Sequence, residues 1–160
     1  MPDIIDYSHN SGFYQPIDIK GFHYGASLNY IWRDIITTRI SYEGAPQEYD
    51  KGYFLWRDRA KSSINATVTI NPIKPLGITL AYQLRSDRVT YHANYDSESM
   101  THEVVDLGDI NSLNMSASYR ISPAFSIFAN IENLLNNDWQ IAYAVPNKGV
   151  TGLVGLTYKF

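Results

Sequence analysis

The 160 residues contain no cysteine, which excludes disulfide staples, thiolate metal ligands and cysteine nucleophiles. Charge is scarce: Asp, Glu, Lys and Arg make up 18% of the chain, against roughly 25% in soluble domains. The formal balance is −3, so there is no basic excess to hold a phosphate backbone, and nucleic acid is not an expected partner. Long apolar runs are missing too. The longest stretches free of those four residue types, 21–32 and 62–73, are about 12 residues each, where a membrane-crossing helix needs roughly 18 or more. The opening Met1-Pro-Asp-Ile-Ile-Asp has neither the basic nor the apolar segment of a secretory leader. The P-loop, the zinc-protease His-Glu-x-x-His and the hydrolase Gly-x-Ser-x-Gly patterns do not occur, so no enzyme and no cofactor is expected.

What is present is 44% hydrophobic residues and 22 aromatic rings, 13 of them Tyr. They recur with a period of two. Phe22, Tyr24, Ala26, Leu28, Tyr30 and Trp32 alternate with His23, Gly25, Ser27 and Asn29, which puts apolar and small polar side chains on opposite faces of a strand. The rhythm returns in Ile36–Tyr42, Ile64–Ile70, Ile78–Leu84, Leu113–Ile121, Phe125–Ile131 and Val154–Phe160. Short turns at Arg33-Asp34, Asn71–Gly77 and Ser122-Pro123 alternate with longer polar connections at Gly44–Gly52 and about Ser86–Asp109. One helical turn is conceivable at Glu132–Asn137. Seven strands linked alternately by short and long connections predict an all-β antiparallel meander of the transmembrane barrel type.

The polar face decides between water and lipid on the other side. A soluble sandwich turns Lys and Glu outward, whereas here the polar residues are mainly Ser, Thr, Asn and Gly, which suits a crowded aqueous lumen. Tyr and Trp near the strand ends suit the membrane interface. Leu28, Ile40, Val68, Leu80, Met115, Ile127 and Leu156 share the parity of those rings and are expected to face lipid. With seven strands the chain is expected to form an open sheet, its free edges at Phe22–Trp32 and Val150–Phe160. A small closed barrel would crowd Arg39, Lys61, Arg85 and Arg120 into a narrow bore.

The final Gly155-Leu-Thr-Tyr158-Lys-Phe160 resembles the carboxy-terminal signal by which barrel-assembly machinery recognises outer-membrane proteins, with Leu153 standing where that signal usually has a polar residue. Upstream, Ala129-Asn-Ile-Glu-Asn133-Leu-Leu-Asn136-Asn-Asp-Trp139 and Ala142-Tyr143-Ala-Val-Pro146-Asn-Lys-Gly149 resemble the last external loop of bacterial TonB-dependent receptors. The Asn71-Pro-Ile-Lys-Pro-Leu76 and Tyr119-Arg-Ile-Ser-Pro123 turns are similar to periplasmic hairpins of that family. The resemblance implies that residues 1–160 are the carboxy-terminal segment of a 22-stranded receptor barrel, with the plug domain absent. It implies an outer-membrane location, lipid and the missing strands as neighbours, and the TonB complex as a partner acting through the plug. It also implies uptake of a scarce bulky nutrient such as a ferric siderophore, cobalamin or glycan. The competing readings are a self-contained small barrel with a structural or adhesive role, and a soluble lipocalin-like binder, whose interior would be apolar.

The remaining candidates are weaker. His9, His23, His92 and His102 are scattered and read as solvated. Asp96, Glu98, Glu103, Asp106 and Asp109 lack the regular spacing of a calcium loop and read as an external loop. Asn65-Ala-Thr67 and Asn114-Met-Ser116 match the glycosylation triplet but lie mid-strand. Trp32 reads as an interface anchor, and Trp56 and Trp139 as structural. Ligand-contact residues are not assigned.

Overall fold

The computed structural model describes residues 4–7, 14–17, 20–45, 47–48, 60–96 and 101–160. Its centre is one antiparallel sheet of seven strands: β1 (Tyr24–Trp32), β2 (Ile36–Gly44), β3 (Ser62–Ile73), β4 (Leu76–Ser86), β5 (Ile110–Arg120), β6 (Phe125–Glu132) and β7 (Thr151–Tyr158). Each strand pairs with its neighbour in sequence, and β1 and β7 are the two edges. No ladder joins β1 to β7 among the described residues, so the sheet is open, as expected, and these strands do not close into a small barrel on themselves.

Register carries the sequence alternation across the whole sheet. Leu28 faces Ile40, which faces Ala66, while Val68 faces Leu80, Leu80 faces Met115, and Ile127 faces Leu156. Because parity is preserved at each pairing, all eight of these residues share one apolar face. The other face stacks Ser41 against Asn65 and Gln83, then Ser112, and Arg39 against Thr67. Among the described residues the sheet is a single layer. Leu107 is the one buried hydrophobic residue among the described residues, while Leu28 and Leu156 are 62% and 66% exposed. An apolar face of this extent with no second layer over it is unstable in water and is satisfied only by a non-aqueous neighbour.

All three short turns lie at one end. In the first, Arg33 and Asp34 have φ of 49° and 54°, and the Ile35 amide donates to the Trp32 carbonyl at 2.9 Å. Two consecutive left-handed residues make a type I′ turn, whose twist matches the flanking strands. Arg is a costly occupant there, by roughly 1–2 kcal/mol relative to glycine. Its guanidinium lies over the Trp32 ring, 5.6 Å from the centroid. The second turn is tighter than its Pro content suggests. β3 continues through Pro72, with a register shift between Ile70 and Ile73, and only Lys74-Pro75 turns the chain. A bulge absorbs the proline that a regular ladder has no place for, and the Asn71 amide donates instead to Ile35 at 2.7 Å.

The long connections leave the opposite end, and two of them are more structured than their composition suggests. Within the stretch read as an external loop, Val89–Asp96 pairs with Thr101–Asp106 as a separate hairpin. At its base Arg88 and Leu107 are buried, the Leu107 amide donates to the Arg88 carbonyl at 3.0 Å, and the Gly108 amide donates to Asp106 Oδ1 at 2.7 Å. The segment after β6 forms no helical turn. It bends at Leu134-Leu135 and makes a two-strand ribbon of Gln140–Ala142 with Val145–Pro146. The connection after β2 also contributes a short ribbon, Gln47–Glu48 with Lys20–Gly21, and Ile4–Tyr7 pairs with Tyr14–Ile17.

Candidate functional site

The polar face is the surface with chemistry to offer. Near the end with long connections it holds a hollow of about 280 Å³, lined by His23, Glu43, Ser63, Asn65, Gln83 and Arg85, with Ala45 and Ala60 at its side. The strands set this composition. Glu43, Ser63 and Arg85 form one rung across β2, β3 and β4, and Asn65 and Gln83 form the next, where Gln83 Nε2 donates to Asn65 Oδ1 at 3.2 Å. Deeper on the same face Arg39 Nε donates to Asn29 Oδ1 at 2.8 Å, and the Thr69 and Thr79 hydroxyls lie 3.1 Å apart. In the open sheet Arg39 thus has a neutral amide as its partner. One carboxylate, one guanidinium, one imidazole and several neutral donors and acceptors can bind a polar solute by hydrogen bonds.

Above this face the last long connection is fastened by asparagines. The Asn133 amide donates to Asn114 Oδ1 at 2.9 Å, and Asn133 Nδ2 donates to the Asn137 carbonyl at 2.9 Å. Asn137 Nδ2 donates to the Asn111 carbonyl at 2.9 Å, and Asn147 Nδ2 donates to the Asn137 carbonyl at 3.0 Å. Asn133 and Asn136 have φ of 53° and 51°, a conformation that Asn tolerates better than most residues. The Gln140 amide also reaches the Leu107 carbonyl at 3.3 Å, which ties this connection to the base of the preceding hairpin. Asn133 and Asn137 of the Asn-Leu-Leu-Asn-Asn run therefore fasten the connection to itself and to β5, replacing ladder partners that the backbone loses beyond β5 and β6. Asn133→Ala removes both side-chain bonds to Asn137, the second being acceptance of the Asn137 amide at 3.3 Å. At about 0.5–1.5 kcal/mol per bond, exchange of the Leu134–Trp139 amides should accelerate by roughly 5- to 150-fold with the seven-stranded sheet unchanged. Unaltered exchange by mass spectrometry would mean that these amides fasten nothing.

The residues singled out for assembly lie together at the end of β7. Gly155 faces Phe128, whose ring covers it so closely that an added Cβ would collide with the ring atoms. Tyr158 pairs with Phe125, and Phe160 is fully exposed. Gly44 stands under the Tyr24 ring in the same manner on β1 and β2, so both glycines accept an aromatic ring across the strands. Trp32 is exposed at the short-turn end, while Trp139 is half-buried beside Asn147 Oδ1, to which its amide donates at 3.2 Å. His23 borders the hollow, His92 and His102 lie on the separate hairpin, and His9, Trp56 and Glu98 fall outside the described residues. Among the described residues no group of three His, Asp or Glu is placed to hold a metal ion. Asn65 and Asn114 both lie within strands.

An open single-layer meander, polar on one face and apolar on the other, has the architecture of a large barrel's wall. No protein-family model and no curated protein sequence matches the chain. Solved structures do. The pyoverdine outer-membrane receptor FpvA of Pseudomonas aeruginosa, bound to pyoverdine, superposes with a TM-score of 0.74 at 12% identity, covering 99% of this chain and 25% of the receptor. The copper transporter OprC gives 0.68 at 12% identity, covering 99% of this chain and 27% of the transporter. The ferric enterobactin receptor PfeA of Pseudomonas aeruginosa, in complex with enterobactin, gives 0.65 at 12% identity over 94% and 24%. The chain therefore has the fold of the barrel portion of the receptor class that its sequence resembles, and it spans about a quarter of the length of these proteins.

Proposed function

We propose that the chain is part of the barrel wall of an outer-membrane TonB-dependent receptor that takes up a metal chelate or a similarly bulky polar nutrient. The observation that carries this reading is the two-faced open sheet, which matches receptor barrels over nearly its whole length. The apolar face meets lipid, the polar face lines the lumen, and β1 and β7 pair with further strands of a 22-stranded barrel. In lipid an unpaired edge is costly, because each orphan N–H or C=O lacks even water as a partner. The TonB complex acts through a plug held inside that barrel, and the barrel-assembly machinery reads the end of β7. The receptors it resembles bind pyoverdine and enterobactin, and another carries copper, so the cargo class is a metal or its chelate. The protein acts by binding and passage, with no chemistry on the cargo. The deciding experiment deletes codons 1–160 in frame in the host and follows radiolabelled iron and copper uptake together with membrane fractionation. Loss of uptake of one metal, with the native protein in the outer-membrane fraction, is expected. A native protein found only in the soluble fraction would overturn the reading.

A further inference from the structure

We propose that the short-turn end of the sheet is a docking rim for anionic phospholipid headgroups; this rests on the barrel-wall reading above. Three cations stand at this end outside the polar-face rungs: Arg33 in the first turn, Lys74 in the second, and Lys159 after β7. All three are exposed, and Asp34 is the one acidic residue among the described residues of the short turns. The opposite end has an acidic excess, the carboxylates Glu43, Asp87, Asp106, Asp109, Glu132 and Asp138 outnumbering the cations Lys61, Arg85, Arg88 and Lys148 on the described residues there. A charge balance that reverses between the two ends of one sheet is what an anionic headgroup layer at one end would select.

The geometry supplies two further observations. Arg33 and Lys74 lie two strands apart along the rim, roughly 10 Å, and Lys159 continues the same rim at β7. They sit directly beyond a belt of exposed rings, Trp32, Tyr119 and Tyr158, so that rings at the acyl boundary are followed by charge at the phosphate level. Arg33 is the telling position. A type I′ turn favours Asn, Asp or Gly, yet a long cation occupies a left-handed conformation there and lies on the Trp32 ring. An observed backbone outlier of this kind points to a use for the side chain. Arg33, stacked on an interface Trp, presents its donors at the depth where phosphates lie, and its planar fork suits a phosphodiester.

The test extracts the chain from host outer membranes in polymer-bounded lipid discs and measures the co-purifying lipid by mass spectrometry. The unaltered chain should carry phosphatidylglycerol plus cardiolipin at about two- to fourfold their share of the bulk membrane. Combined Arg33→Gln, Lys74→Gln and Lys159→Gln should return that ratio to the bulk value, and Lys61→Gln with Lys148→Gln, at the opposite end, should leave it enriched. Combined Arg33→Lys, Lys74→Arg and Lys159→Arg should also stay enriched, since all three positive charges are kept. If the triple Gln variant fails to accumulate, Lys74→Gln alone, at an exposed turn apex, should lose about a third of the enrichment. Bulk-like lipid around the unaltered chain, or undiminished enrichment in the Gln variants, overturns the proposal while the barrel-wall reading stands. A chain recovered only in the soluble fraction overturns both.

Discussion

Leu80→Arg is expected to destabilise the membrane-embedded sheet by about 2–4 kcal/mol, whereas Gln83→Arg on the same strand should cost less than about 1 kcal/mol. The two positions differ in parity, and register converts parity into environment. Leu80 lies between Val68 and Met115 on the apolar face, and Gln83 lies between Asn65 and Ser112 on the polar one. A guanidinium at position 80 must either enter hydrocarbon or drag water and headgroups toward the midplane. At position 83 it joins Arg85 and Glu43 beside the polar-lined hollow. The measurement is the urea midpoint of the protein refolded in phospholipid vesicles, with the level assembled in outer membranes as a second readout. Equal midpoints for the two variants would mean that the assignment of the lipid face is wrong.

Deleting Phe160 should lower the amount of assembled protein at least severalfold while leaving the stability of what does assemble within about 0.5 kcal/mol of the parent. The two halves of this expectation separate an address from a packing role. Phe160 is fully exposed, so its removal uncovers no buried surface, and the Lys159 amide bond to the Ala124 carbonyl at 2.8 Å involves backbone alone. Gly155 is different: its neighbour Phe128 needs the space, so a substitution there disturbs packing whatever the assembly machinery reads. Quantitative immunoblots of outer membranes, paired with unfolding in vesicles, check both halves. Parental membrane levels without Phe160 would eliminate the ring as a signal.

The strand pattern and the division into two faces were legible in the sequence because side-chain alternation depends only on the neighbours along one strand. Counting apolar positions between Phe22 and Trp32, or between Ile78 and Leu84, was enough to place Leu28 and Leu80 on the same kind of face. The short turns were legible for a similar local reason, although Pro72 misled: the ladder passes it through a bulge that no local rule announces. The hairpin at Val89–Asp96 and Thr101–Asp106 was hidden by composition. Val89, Tyr91, Ala93 and Tyr95 do alternate with polar residues, but the Asp and Glu around them read as a loop.

Tertiary structure alone decided how these local elements meet. The sequence by itself determined an antiparallel meander with one apolar and one polar face, short turns at one end and long connections at the other. Only pairing across strands could bring Glu43, Ser63 and Arg85 into one rung, since a long connection separates Glu43 from Ser63 and the register of Ser63 with Arg85 depends on the bulge between Ile70 and Ile73. Only the folded loop could show that Asn133, Asn137 and Asn147 bond to one another and to β5, because each amide's partner lies several residues away or on another strand. The strand count pointed to an open sheet, but what its edges pair with is not written in the strands. The strands carry no sequence mark of what lies beside β1 or β7, and the pairing partner of an edge is set by curvature and stagger accumulated across all seven strands.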